Sequence, residues 1–446
     1  MFENLKKRKK CADIEARLPF FIRTVGLFMQ MRIPFEKALK LAAENEKLEE
    51  INSVISDIEN GVGVQKAFAS LAVRYGTHNI RRAMAQLISS YEIGSSGKEL
   101  VKTADEMILA QQYKMKEFAS KNAILGLVFI ITAALGPTFF LIYAVLGKYT
   151  LGVEMDGFGI ILGLLVIFPL ISIMILLIGK TMTPGSQFNR TTSVKDYLAM
   201  APAMVIAVSF VFLSDITLMV VVAGCITATG VLLLKRYAHE RGIEDIEKYL
   251  PDALFCIASL PPSTKIEKIF AVIADAGYPG LSAEAEKSKK QLESNIKTGI
   301  VLEDLSKRND SPILKRVSLM LEQVFNTNSF GTLTLLAEDI SGYLEIKKQR
   351  ANLLSMQKYT LLLGGIIIPL ILKMSIGLME DVASFFPPSD ENIISFALSI
   401  VPAYITIYSI TTSMYIADME GEGSKSLRYF FITLIGGLLI FYLINL

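Results

Sequence analysis

A chain of 446 residues that is 52% hydrophobic, with a mean hydropathy of +0.45, is too apolar for an ordinary soluble domain, so membrane class comes first. A net charge of +2 gives no field for nucleic acid or another polyanionic partner. The cysteines Cys11, Cys225 and Cys256 match no zinc spacing and argue against a disulfide framework.

Charge is segregated along the chain. Residues 1–121 hold 20 Lys/Arg and 15 Asp/Glu, residues 235–358 hold 18 and 17, and everything else holds only 7 and 11. That division gives four segments: a polar module at 1–121, spans at 122–234, a second polar module at 235–358, and spans at 359–446. The expected fold class is all-α, a polytopic membrane protein with two cytoplasmic helical bundles and about seven transmembrane helices.

The basic run Lys6–Lys10 is not a signal-peptide start, because Asp13, Glu15, Arg17 and Arg23 interrupt what should be an apolar stretch. It reads as a solvated tail, with contact to anionic headgroups as the sharper alternative. From there to residue 121 helical spacing recurs and strand alternation does not. Met84, Leu87, Ile88 and Tyr91 make one apolar stripe. Pro34 suits a first helical turn, Asn60–Gly63 breaks the pattern, Thr77 is a plausible N-cap, and Ser95–Gly97 breaks again. A long helix from about Lys98 should then run without a stop into the first span. The acidic group Glu44, Glu46, Glu49 and Glu50 reads as a solvated helix face, and His78 as a surface residue.

The uncharged run Asn122–Leu146 is long enough for a bilayer core, as is Phe158–Gly179. Tyr197–Leu213 and Ile216–Leu234 follow, separated only by Ser214 and Asp215, and their small residues, such as Ala201, Ala223 and Gly224, suit close helix packing. Thr360–Met379, Ile393–Ala417 and Tyr429–Asn445 complete seven runs. Basic residues favour the cytoplasmic side. With residues 1–121 inside, the outer segments carry one basic residue, Lys148, against seven acids. That orientation puts the N-terminus in the cytoplasm and the C-terminus outside. Lys373 is an intramembrane charge near the outer end of its span. It either snorkels to the interface or meets a buried acid.

The two polar modules repeat. Leu18-Pro19 aligns with Leu250-Pro251 at an offset of 232, as Pro137 does with Pro369. Between them Arg82 and Arg316, Leu87 and Leu321, Tyr91 and Phe325, Gly97 and Gly331, and Asp105 and Asp339 all share an offset of 234. Duplication in one orientation is unlike the inverted repeat of many transporters.

Chemistry is sparse. Gly97-Lys98 imitates a nucleotide loop, but Glu92 occupies the first glycine position and Glu99 replaces the Ser/Thr that would hold magnesium. Two histidines, His78 and His239, are too few for a multi-histidine metal centre. No catalytic residue, cofactor or metal site is expected, so the chain does not read as an enzyme.

Three stretches carry a family resemblance: Phe20–Lys40 (FFIRTVGLFMQMRIPFEKALK), Asn60-Gly61 with Val64–Leu71, and Ser90–Leu100 (SYEIGSSGKEL). They resemble the type II secretion system F domain. The second copy matches at Gly331 and Leu335, but Asn326 stands in place of Glu92, and Pro261-Pro262 interrupts its first turn. Two such domains in one chain are similar to the archaeal membrane platforms of type IV pili and archaella. The resemblance implies a cytoplasmic hexameric ATPase as partner, pilin-like subunits as cargo, and a homodimer. Basic positions on the bundles, Arg81, Arg82, Lys315 and Arg316, are the candidate ATPase contacts, with ordinary surface charges as the bland reading. Glu92, Gly97, Asp105, Gly331 and Asp339 are the motif positions. Pilus, archaellum motor and secretion pseudopilus all fit, and a polytopic transporter or scaffold unrelated to filaments is the competing class.

Overall fold

The computed structural model describes residues 2–46, 48–151, 156–182, 241–309, 311–383, 391–420 and 425–443. The expected spans Tyr197–Leu213 and Ile216–Leu234, with Cys225 and His239, lie outside these residues. All regular structure among the described residues is helical, and no strand occurs there. Five of the helices are long and apolar enough to cross a membrane, which marks the chain as a multi-pass membrane protein.

The first stretch gives α1 (Phe2–Gln30), α2 (Phe35–Glu46), α3 (Glu49–Glu59), α4 (Val64–Tyr75), α5 (His78–Ile93) and α6 (Lys98–Leu151). After it come α7 (Gly157–Ile161), a π-helical turn at Leu162–Ile167, and α8 (Phe168–Met182). The second polar stretch gives α9 (residues 241–258), α10 (Ile266–Asp275), α11 (Leu281–Glu293), α12 (Thr298–Asn309), α13 (Pro312–Thr327) and α14 (Leu333–Ala383). The chain closes with α15 (Glu391–Glu420) and α16 (Ser426–Leu443).

The duplication is visible in the backbone. Helices α4 and α12 have 12 residues each, and α5 and α13 have 16 each. Thr77 caps α5 by accepting from the Ile80 N–H, and Ser311 caps α13 by accepting from the Leu314 N–H. Both helices end on a left-handed residue, Gly94 in the first and Asn328 in the second. The turn before α4 uses Gly61 at φ +86°, and its counterpart is Asn295 at φ +60°. Glycine and asparagine are the residues that tolerate this conformation, so the turns survived while their side chains changed.

Two compact units result. One gathers the described residues up to Lys114 and from Arg241 to Gln349, which brings both charged bundles together around one apolar core. Phe21, Phe28 and Phe68 from the first copy and Val317, Met320 and Val324 from the second are among its fully buried members. The other unit gathers the apolar helices from Met115 to Met182 and from Arg350 onward, around a separate core that includes Phe129, Leu361 and Tyr404. The chain passes between the units within α6 and within α14, helices of 54 and 51 residues.

Prolines inside these helices show how each unit is tied together. A proline at position i removes the donor for the carbonyl at i−4. Pro19 frees the Glu15 carbonyl, and the side-chain amide of Gln111 in α6 donates to it at 2.6 Å. In the second unit Pro137 frees the Ala133 carbonyl, and the Tyr404 hydroxyl of α15 donates to it at 2.6 Å. Pro369, the repeat partner of Pro137, frees Gly365, and Gly437 of α16 approaches so closely that an added Cβ would stand 3.0 Å from that carbonyl. In α8, Pro169 is preceded by the π turn, where the Phe168 N–H reaches back to the Gly163 carbonyl.

Candidate functional site

A charge cluster lies where the two copies meet, buried around Arg316 and Asp339 and half exposed at Asp105. Arg23 and Thr24 come from α1, Glu46 from the end of α2, Asp105 from α6, Arg316 from α13 and Asp339 from α14. Arg23 pairs with both Asp105 and Asp339. Arg316 reaches Asp339 at 3.1 Å, Glu46 at 3.4 Å and the Thr24 hydroxyl at 3.0 Å. Thr24 in turn donates to Glu46 at 3.3 Å. One side of the cluster is apolar and aromatic: the Arg316 guanidinium lies 5.8 Å from the Tyr343 ring centre, and Tyr343 meets Phe20 edge-on at 5.6 Å.

Burial makes these contacts strong and their loss costly. The Arg316 and Asp339 side chains are 7% and 3% exposed. Charges this far from water persist only when paired. Asp339 lies between two guanidiniums. Burial alone would lower the Arg316 pKa, but Asp339 and Glu46 reverse that and hold it above its ordinary value. Burial pushes the Glu46 carboxyl above its usual range, against the pull of Arg316, and the neighbouring Asp339 adds to the rise. Two guanidiniums face three carboxylates here. A protonated Glu46 would leave the cluster neutral. The carboxylates converge on arginines, so the arrangement balances charge and locks two bundles together rather than offering ligands to a metal.

The expected site residues separate into two groups. Arg316 is not a surface contact. It is interior, because α13 packs against the first copy as well as its own bundle. Glu46 likewise leaves the solvated face expected of its acidic group and turns inward, while Glu44 and Glu49 stay exposed. Asp105 and Asp339, aligned by the repeat, meet on the same residue, Arg23. Arg81, Arg82 and Lys315 are exposed. Arg81 donates to the Gly76 carbonyl at 2.7 Å, and Arg82 pairs with Glu106 on the surface. Glu92 is exposed and accepts from Gln65. Gly97 is buried at φ +81° and so close to Gly26 of α1 that a side chain would strike the Gly26 carbonyl. Gly331 has open space around it and no such conformation. Lys373 holds its ammonium 5.3 Å from the ring centre of Phe441.

The second unit carries a smaller polar network that the sequence reading missed. Asn122 of α6 donates to Gln357 of α14, the Gln357 amide donates to the Tyr415 hydroxyl at 3.2 Å, and that hydroxyl donates to the Asn122 oxygen at 3.1 Å. The ring closes among three helices, and Gly179 of α8 leaves room for the Tyr415 hydroxyl. Nearby in sequence, Lys358 pairs with Glu420 at 2.8 Å, Tyr429 donates to Glu420 at 2.5 Å, and Arg350 donates to the Met419 carbonyl at 3.2 Å. Closed polar rings of this kind specify one packing among many apolar ones.

Arg23 and Thr24 also went unrecognised. Their signal was available: an arginine and a threonine inside the otherwise apolar run Leu18–Phe28 need partners if that run is buried. Comparison with protein-family models, with characterised proteins and with solved structures returned no match to this chain.

Proposed function

We propose that this protein is the membrane platform of a type IV pilus-like assembly machine, coupling a cytoplasmic hexameric ATPase to the extraction and assembly of pilin-like subunits. The observation that carries the reading is the union of two repeated helical bundles in one unit, each continued by an unbroken helix of more than 50 residues into an apolar region. A single body with two helical exits can pass a displacement from below to two places in the membrane at once. The charge bias along the sequence favours both bundles in the cytoplasm, the N-terminus inside and the C-terminus outside. The motor supplies the free energy and this chain transmits it.

Arg81 and Lys315 are the positions best suited to face the motor. They occupy equivalent places in the two copies, next to the caps Thr77 and Ser311, and both are exposed. A motor with repeated subunits would meet the same basic position twice. Charge reversal at both, Arg81→Glu with Lys315→Glu, should weaken ATPase capture by purified platform roughly tenfold while the helical signal is unchanged. Undiminished capture, or absence of any capture by the intact chain, would defeat the assignment.

A transporter is the second reading, favoured by the polar ring Asn122, Gln357 and Tyr415 among apolar helices. Substrate-dependent flux in vesicles that is lost with Gln357→Leu would select it over the platform.

A further inference from the structure

The two copies meet through unlike faces. Copy two contributes α13 and α14, with Arg316, Asp339 and Tyr343. Copy one receives them on α1 and α2, with Phe20, Arg23, Thr24 and Glu46. A contact between unlike faces leaves one of each kind unused, and repeated pairing of such faces joins further copies.

The unused faces can be named by the repeat. On α9, Asp252, Phe255 and Ser259 stand where α1 has Phe20, Arg23 and Leu27. The α1 residues are covered by the other copy or by their own bundle, whereas the α9 residues are exposed, Phe255 at 41%. In copy one, Arg82 and Leu109 stand where the second copy has the buried Arg316 and the packed Tyr343. Arg82 is exposed, and Leu109 is 53% exposed.

We propose that the α5–α6 face of one chain docks on the α9 face of a second copy of the same chain, repeating between chains the contact that α13 and α14 make on α1 within one. In the equivalent register Leu109 falls at Asp252, one helical turn from Phe255, within reach of its exposed ring. Arg82 falls beside Cys256, one helical turn from Asp252, so opposite charges face each other. Glu106, the present partner of Arg82, is half exposed, so exchanging it for Asp252 costs little. Each chain then offers one face and receives on the other. The inference holds whether or not the machine assembles a filament.

Cysteine pairing tests it in native membranes. In a chain with Cys11, Cys225 and Cys256 replaced by serine, Leu109→Cys with Phe255→Cys should form oxidised species of twice the chain mass or higher multiples of it. The pair Phe20→Cys with Tyr343→Cys should close within one chain and report that the bundles remain docked. A monomeric band from the first pair with the internal pair intact would overturn the proposal. So would equal cross-linking of Leu109→Cys to Lys307→Cys on another helix, or capture of a different protein at Leu109→Cys in place of the chain. Independently, Arg82→Glu should weaken self-association in mild detergent roughly tenfold, and adding Asp252→Arg should restore it. Association unaffected by the first change, or not restored by the second, would also overturn it.

Discussion

Helices α5 and α13 are the same element twice, with matching caps, matching lengths and matching left-handed ends, yet they live in different surroundings. The first buries Ile80, Ala83, Met84, Leu87 and Ser90, a single stripe. The second buries nine residues, adding Ile313, Arg316, Met320 and Gln323 on a second side. The repeat places two bundles of one pattern in the chain. Docking then made them unequal, because one α5-type face was covered and the other was not. The lesson is that equivalent positions in a repeat share their backbone but not their energetics: Arg82 is a surface charge, whereas its partner Arg316 anchors an interior.

The largest expected effect breaks that anchor. Arg316→Ala takes from Glu46 its guanidinium and leaves Asp339 with Arg23 alone, and should cost about 3–5 kcal/mol, whereas Arg82→Ala should cost at most about 1 kcal/mol. Denaturant titration followed by far-ultraviolet circular dichroism separates the two, and equal losses would erase the distinction between the copies.

The glycines give the next contrast. Gly97→Ala forces a side chain into the Gly26 carbonyl at a left-handed position and should cost about 1–3 kcal/mol. Gly331→Ala, in open space, should stay within about 0.5 kcal/mol. The same titration reads both, and a costly Gly331→Ala would mean that the copies need their glycine for the same reason.

Tyr404→Phe probes the membrane unit. It leaves the Ala133 carbonyl buried without a donor and should lower stability by about 1–3 kcal/mol. Thermal unfolding in detergent measures it, and an unchanged midpoint would remove the tyrosine from the account of the Pro137 helix.

The smallest effect is a pH dependence. Because the folded-state pKa of Glu46 is raised, its contribution is fully present below the unfolded value of about 4.5 and is lost as pH rises through the folded value. Glu46→Gln removes that loss. Its stability relative to the unmodified chain should therefore increase as pH is raised from 4.5 toward 8. A difference that is flat or falls with pH would contradict the burial of this carboxyl at the junction.

Much of the fold was legible because its signals are local. Thr77, Pro34 and the Asn60–Gly63 break mark ends of helices by their own chemistry, and the uncharged runs announce the apolar helices by length. The 234-residue register also survives in the sequence. The ion cluster did not announce itself, since its members come from five helices of two copies and look like ordinary surface charges within each helix. One clue was present: α13 carries Val317, Leu319, Met320 and Val324 where α5 carries Ala83, Ala85, Gln86 and Ser90. A helix apolar on more than one side is a helix with two neighbours. The inward turn of Glu46 had no comparable local sign.

Consider last the carbonyl of Ala133, whose hydrogen bond comes from a hydroxyl on another helix. The course of α6 past Pro137 is therefore not a private property of its own residues. Any flexing at Pro137 lengthens or breaks the bond to Tyr404, and any sliding of α15 withdraws a rung from the ladder of α6. Curvature in one rod and position of its neighbour become a single mechanical coordinate, readable by whatever strains either of them.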